Sequence, residues 1–182
     1  MTKPDFSFES KLWKDGHTHV VGIDEVGRGA FAGPVVVGAV AFPKDIAPHL
    51  LKQINDSKLL SPKLRDTLAT LIKQTALSYS ITSSTVAYIN HYGIVKATFK
   101  AMRQAVNKIN PCHHLLIDAF YIPRLKNFTH LQQTPIIKGD QKSLSIAAAS
   151  IIAKVYRDKL LLHLSHSFPH YDWEHNKGYG TK

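Results

Sequence analysis

The sequence predicts an α/β fold, one mixed central sheet with helices packed on both faces. Three observations carry this. Two apolar runs, Val20 to Asp24 and Val35 to Phe42, open the chain, and the second is continuous and rich in β-branched residues, as in a strand covered on both faces. Behind them, stretches with helical spacing alternate with short apolar runs, the order that produces helices laid over a sheet. Acids also stand where three of the strands end, at Asp24, Asp118 and Asp140. Ligands of such sheets gather beyond the carboxyl ends of the strands.

The elements follow in order. Met1 to Gly16 is a polar lead-in with a helical turn around Glu9 to Trp13. The two opening strands form a hairpin whose wide turn carries Gly27, Gly29, Gly33 and Pro34, and Pro43 ends the second strand. Ser61-Pro62 reads as a cap with proline at the first helical position, followed by Leu64, Leu68, Leu71 and Ile72 at helical spacing. Tyr79 to Val86 is predicted as a third strand. A helix from Ile94 to Ile109 follows, stopped by Asn110-Pro111. Leu115 to Ile117 is a short strand with Asp118 at its end, and Pro123 to Gln133 a loop. Ile136-Ile137 is another strand, ending in Lys138-Gly139-Asp140. Leu144 to Leu164 is a long helix, and the tail from Phe168 is aromatic and irregular.

At 182 residues the chain is expected to form one domain, with 1–19 as lead-in and 167–182 as the start of a C-terminal substrate-binding segment. No signal-peptide core and no membrane-length apolar run is present, and Cys112 is the single cysteine, so a reduced, cytoplasmic setting is expected. A net charge of +10 and a pI near 9.7 favour a polyanionic partner, chiefly nucleic acid.

Asp24, Glu25, Asp118 and Asp140 form the candidate centre. Converging carboxylates raise one another's pKa unless a cation sits among them. Hard oxygen donors without cysteine suit Mg²⁺ or Mn²⁺ better than Zn²⁺. Two such ions about 3.5–4 Å apart can activate water and stabilise a leaving oxygen in phosphodiester cleavage. The bland alternative is four unrelated surface or ion-paired acids. The chain holds only 13 acids against its positive excess, and that favours a site.

Other features are weaker alone. Gly27-Arg28-Gly29 is either a simple turn or bare backbone that approaches a sugar or phosphate, with Arg28 as an ionic contact. Lys58, in Asp56-Ser57-Lys58, is a loop residue that could meet a phosphate. Tyr179, set between two glycines, suits presentation to a ligand, and Tyr171 and Trp173 are stacking or core groups. His163 with His166, and His113 with His114, make no zinc pattern with a third ligand. Asp158 is a rival carboxylate, better explained by an ion pair with its neighbours Arg157 and Lys159 or by capping.

Taken together, Gly22-Ile23-Asp24-Glu25-Val26-Gly27-Arg28-Gly29, Asp56-Ser57-Lys58-Leu59-Leu60, Ile117-Asp118-Ala119, Lys138-Gly139-Asp140, Ala148 to Lys154 and Asn176-Lys177-Gly178-Tyr179-Gly180-Thr181 resemble bacterial ribonuclease HII, the type 2 ribonuclease H, from about Val20 to the last residue. The resemblance implies a ribonuclease H-like fold and cleavage of the RNA strand of RNA–DNA hybrids. It also implies cutting 5′ of single ribonucleotides in duplex DNA, leaving 3′-hydroxyl and 5′-phosphate ends. It places two divalent ions, Mn²⁺ or Mg²⁺, on Asp24, Glu25, Asp118 and Asp140. Gly27, Arg28 and Gly29 would read the ribose 2′-hydroxyl, the group that tells RNA from DNA. Tyr179 would stack on the sugar of the following deoxynucleotide, and Lys58 would lie near the substrate backbone.

Two departures accompany it. The loop between Asp118 and Asp140 is somewhat long for the family, and the chain stops at Lys182 where members usually continue with a further helix and basic tail. A truncated or short member is expected, with a weaker grip on duplex. A monomer is expected, and a sliding clamp is a partner whose binding motif would normally lie in that tail. The alternatives are another metal-dependent nuclease or resolvase of the same fold, and a non-catalytic nucleic-acid-binding module.

Overall fold

The structure, a computed structural model, describes residues 3–126 and 128–180. The first two residues of the lead-in, Asn127 in the long loop, and Thr181 with Lys182 lie outside the described residues. In chain order the elements are α1 (Ser7–Lys14), β1 (Val20–Val26), β2 (Val35–Ala41), α2 (Pro62–Thr75), β3 (Ser78–Ser84), α3 (Val86–Tyr92), α4 (Ile94–Asn107), β4 (His114–Asp118), β5 (Gln133–Ile136), α5 (Leu144–Ser167) and the single turn α6 (Trp173–Asn176).

The five strands form one sheet in the order β3-β2-β1-β4-β5. β1, β2 and β3 are antiparallel neighbours, whereas β4 runs parallel to β1 and β5 parallel to β4. The sheet is therefore mixed, as expected. Side chains alternate between faces along each strand, and the two faces bury different partners. Val21, Ile23, Val37, Ala39, Leu115 and Ile117 pack with Ala101, Met102 and Ala105 of α4. Val40 packs on the opposite side with Leu68 and Ile72 of α2 and Ala148, Ile151 and Ile152 of α5. All seven residues of β2 are buried, which accounts for its unbroken apolar run.

Two packing devices set the helices. On one face Ser80, Thr82 and Ser84 donate to the carbonyls of Ala105, Ala101 and Ala97, at 2.9, 2.8 and 2.8 Å. Two strand residues advance about 6.8 Å and four helical residues about 6 Å, so the repeats nearly match. On the other face α5 lies almost in contact with the strand backbones. A Cβ at Gly22 would stand 2.2 Å from the Ser145 carbonyl carbon, and one at Gly38 2.2 Å from the Ala149 oxygen.

The expected helix start at Ser61 is present, with its Oγ accepting from the Leu64 N–H at 3.3 Å. Several boundaries differ. β1 extends to Val26, so Asp24 and Glu25 stand within a strand rather than at its end. The third strand stops at Ser84, because the Thr85 hydroxyl accepts from the Tyr88 N–H and caps the short helix α3, inside which Val86 falls. The last strand is Gln133–Ile136, taking in a residue assigned to the loop and leaving out Ile137, which is 72% exposed. It carries Pro135, which an edge strand tolerates. Asp140 consequently sits in a 3₁₀ turn, Gly139–Gln141, rather than ending a strand. The lead-in is docked. Glu9 of α1 is wholly buried, and its Oε1 accepts from the Ser143 hydroxyl at 2.6 Å and the Ser145 N–H at 3.0 Å, at the start of α5.

Candidate active site

Strand register brings the first two acids together. Ile23 pairs with Ile117 across the parallel β1–β4 ladder, so Asp24 and Asp118, each one residue further on, are neighbours. By alternation both point to the α5 face, as Leu116 does, and Glu25 points to the α4 face. Asp118 is held by a main-chain donor, the Gly139 N–H, which reaches its Oδ1 at 2.7 Å. The same short turn carries Asp140, so one peptide segment ties two of the four acids. A Cβ at Gly139 would stand 2.6 Å from Ile146 Cδ1, the far end of a side chain that can turn aside.

The electrostatics are those of acids lacking enough positive charge. Asp24 is buried, and its pKa lies well above the ordinary aspartate range, first because of burial and then because of Glu25 and Asp118, with a smaller push from Asp140. The Ser150 hydroxyl beside it opposes the rise, and that hydroxyl also lies 3.0 Å from Ser57 Oγ. Burial raises Glu25 to about 7, against the pull of Arg28. Arg28 Nη1 is 3.5 Å from Glu25 Oε1, and its guanidinium lies 4.5 Å from the centre of the Phe120 ring. Glu25 Oε2 is buried without a hydrogen-bond partner. Asp140 is raised by burial and by Asp56 and Asp118, and Lys58 Nζ, 3.9 Å from its Oδ2, only partly offsets this.

Buried carboxylate oxygens, an orphaned Oε2 and mutual repulsion are what a hard divalent cation would relieve, so the donor set fits Mg²⁺ or Mn²⁺. Among the described residues, the trio that brings donor atoms within 4.8 Å of one another is a different one, the exposed Asp172, Glu174 and His175. Its closeness is explained by the His175 ring, 2.5 Å from Asp172 Oδ1 and 3.6 Å from Glu174 Oε1. No three of Asp24, Glu25, Asp118 and Asp140 are drawn that close, as befits like charges.

Glu25 is neutral in both states below about 4.5, its value in the unfolded chain. As pH rises through about 7, its folded value, the native protein must hold a buried carboxylate and the stability present at low pH is lost. Asp24 acts in the same direction. Without metal, raising the pH from about 5.5 to about 8.5 should remove about 2–3 kcal/mol and lower Tm by roughly 5–10 °C. Calorimetry in chelator measures this. A flat or rising Tm would contradict the assigned repulsion.

Of the remaining expected residues, Arg28 and Lys58 reach the acids, at Glu25 and Asp140. Gly27 has φ +95, the left-handed region that glycine serves, whereas Gly29 has open space around it. Lys58 is exposed, and its N–H is held by Asp56 Oδ1 at 3.0 Å. Tyr179 is 38% exposed, with Lys154 Nζ and Arg157 Cζ each 5.4 Å from its ring centre. A cleft of about 690 Å³ lies between α2, α5 and the tail, where Lys58, Arg65, Lys154, Lys159 and Lys177 face Asp66, Asp158 and Glu174; none of the four candidate acids lines it, and Lys58 links it to Asp140. Asp158 is paired as expected, but not with its sequence neighbours. It contacts Lys154 at 2.8 Å and Arg65 at 3.6 Å, while Lys159 goes to Asp66. Glu9, Ser150, Phe120 and Arg157 also contribute, none of them among the site residues expected from sequence.

Comparison with known proteins decides the family. The ribonuclease HII family model matches residues 21–182. The chain belongs to the ribonuclease HII family. It is therefore a ribonuclease H, a nucleic-acid hydrolase, and the resemblance read from its motifs is borne out. Ribonuclease HII of Synechococcus sp. (strain JA-3-3Ab) is 43% identical over 182 residues, covering 100% of this chain and 80% of that protein. Two solved structures share the fold at 26% identity. Ribonuclease H2 of Pyrococcus horikoshii superposes with a TM-score of 0.76 over 90% of this chain and 82% of the other. Ribonuclease HII of Archaeoglobus fulgidus, in a complex with PCNA, superposes with a TM-score of 0.73 over 90% and 81%. The ribonuclease H-like α/β fold is thus confirmed. Among the described residues, no helix is long and apolar enough to cross a membrane.

Proposed function

We propose that this ribonuclease HII hydrolyses the RNA strand of RNA–DNA hybrids and cuts 5′ of single ribonucleotides in duplex DNA, leaving 3′-hydroxyl and 5′-phosphate ends. The observation that carries the reading is the cluster of Asp24, Glu25, Asp118 and Asp140, in which burial and neighbouring acids push up the pKa values of Asp24, Glu25 and Asp140 in a chain of net charge +10. Asp24, Glu25, Asp118 and Asp140 would hold two divalent ions, Mg²⁺ or Mn²⁺. Bound there, the ions would activate the attacking water and stabilise the departing 3′-oxygen.

The chain's own residues supply placement. The Gly139 N–H occupies Asp118 Oδ1 and leaves the other oxygen available. Arg28, braced on Phe120, holds the Glu25 carboxylate from one side. The backbone of Gly27, Arg28 and Gly29 would face the ribose 2′-hydroxyl. Tyr179 would pack on the next sugar, and Lys58 would meet a phosphate beside Asp140. In the cleft between α2 and α5 five lysine and arginine side chains outnumber three acids, a balance that suits a strand backbone. We read 1–182 as one catalytic domain of a monomer acting in the cytoplasm, with 167–182 beginning a substrate-binding segment. PCNA binding by the Archaeoglobus fulgidus relative makes a sliding clamp the first protein partner to test.

The test is titration of Mg²⁺ or Mn²⁺ against a DNA duplex carrying one ribonucleotide, beside an all-DNA duplex and a long hybrid. Metal-dependent incision 5′ of the ribonucleotide, with the all-DNA duplex intact, is expected. Equal cutting of both duplexes would replace the reading with a nuclease that does not read ribose.

A further inference from the structure

We infer that Arg157 is a positioning residue that locks the ribose-facing loop and the Tyr179 segment to α5, and thereby sets selectivity for the ribonucleotide. The inference rests on the proposed reading of Gly27 to Gly29 and Tyr179 as substrate-facing. Arg157 is the largest wholly buried side chain among the described residues. Its guanidinium donates to three carbonyls, from Nε to Pro34 at 3.0 Å, from Nη2 to Ala32 at 2.7 Å and from Nη1 to Lys177 at 2.8 Å. Two acceptors belong to the loop after β1 and the third to the tail, more than 140 residues later. Among the described residues no carboxylate lies within ion-pair distance of it, because Asp158 is turned to Lys154 and Arg65.

The glycines of both motifs are shaped around this group. A Cβ at Gly27 would stand 2.3 Å from Arg157 Nε, and one at Gly178 would stand 2.6 Å from the Ala32 carbonyl oxygen. The two segments also meet directly, as the N–H groups of Phe31 and Ala32 donate to the Gly178 carbonyl at 2.9 and 3.1 Å. Loop, tail and α5 are thus one body joined at one guanidinium. Just outside that joint stand Phe31, 91% exposed, and Tyr179. An unpaired buried cation is a poor way to gain stability, since apolar replacements of buried ionic groups are often neutral or better. What a planar fork supplies is fixed direction to several acceptors at once, which a lysine cannot copy.

The test compares wild type, Arg157→Lys and Arg157→Met, each well below its own Tm. Fluorescence anisotropy in chelator gives affinity for a duplex with one ribonucleotide and for the all-DNA duplex, and steady-state kinetics in Mg²⁺ give KM and kcat on the ribonucleotide duplex and on a long hybrid. In both variants the binding preference for the ribonucleotide duplex should shrink at least about fivefold, and KM on that duplex should rise more than on the hybrid. Arg157→Lys, which keeps the charge, guards against a variant that fails to fold. A lower Tm with the binding preference intact in either folded variant would overturn the inference and reduce Arg157 to a structural group. If wild type itself shows no preference, the functional reading fails instead, so the two failures are distinguishable.

Discussion

Asp24→Asn is expected to abolish cleavage and, in the same molecule, to make the metal-free protein more stable. Asp24 is buried beside Glu25 and Asp118 on adjoining strands, and its pKa is raised by burial and by both neighbours. Asparagine has the same shape and can still accept the Glu25 N–H that Asp24 Oδ1 takes at 2.8 Å. It removes only the charge. A metal-bound state loses an anionic ligand by this, so turnover should fall by at least about 10³-fold, beyond the 10–100-fold typical of outer-shell partners. The metal-free state loses a buried like charge, so at pH 8 it should gain about 1–3 kcal/mol. Steady-state incision in Mg²⁺ and denaturant unfolding in chelator measure the two halves. Unchanged turnover would remove the assigned site, and a large loss of stability would mean that Asp24 is a structural partner.

Gly38→Ala and Gly22→Ala carry the largest expected effect on folding. The added methyl at either position meets main-chain atoms of α5 at 2.2 Å, and main chain inside a helix has no rotamer to change. Because α5 also packs on α2, it cannot retreat from the sheet without opening a second interface. Each substitution should cost about 3 kcal/mol or more, at the upper end of overpacking effects. Gly29→Ala is the matched comparison, since nothing lies within 4 Å of its added Cβ and its φ is ordinary, and it should stay within about 0.5 kcal/mol of wild type. Urea unfolding of the three variants checks the contrast. Equal stabilities would show that the helix seats less tightly than described.

Much of this arrangement was legible in the residues because it is local. A glycine-rich turn between two apolar runs makes a hairpin, and Ser61-Pro62 caps a helix, wherever they occur. The acids showed because carboxylates in or next to buried apolar runs demand a reason, although only Asp118 ends a strand. What could not be read depended on partners far away in the chain. In sequence Arg157 reads as a partner of its neighbour Asp158, yet adjacent helical residues diverge by about 100° and do not face each other. A signal was present. Ala153, Arg157 and Leu161 recur four apart, and all three are buried. The helix after Thr85 was hidden behind β-branched residues, and one hydroxyl cap outweighed their strand preference. Glu9, in a polar lead-in, gives no hint of the Ser143 hydroxyl it meets.

That last contact bears on how the protein comes to be assembled. Glu9 and Ser143 are 134 positions apart, and Arg157 and Ala32 are 125 apart. Ring closures of that size spend chain entropy before any contact repays it. The hairpin of β1 and β2 can zip early on nearby residues, but Asp140 and the Tyr179 segment must wait until distant stretches of the chain have met. The candidate site is thus expected to form late in folding, with Glu9 of α1 fastening the start of α5 beside the Asp140 turn.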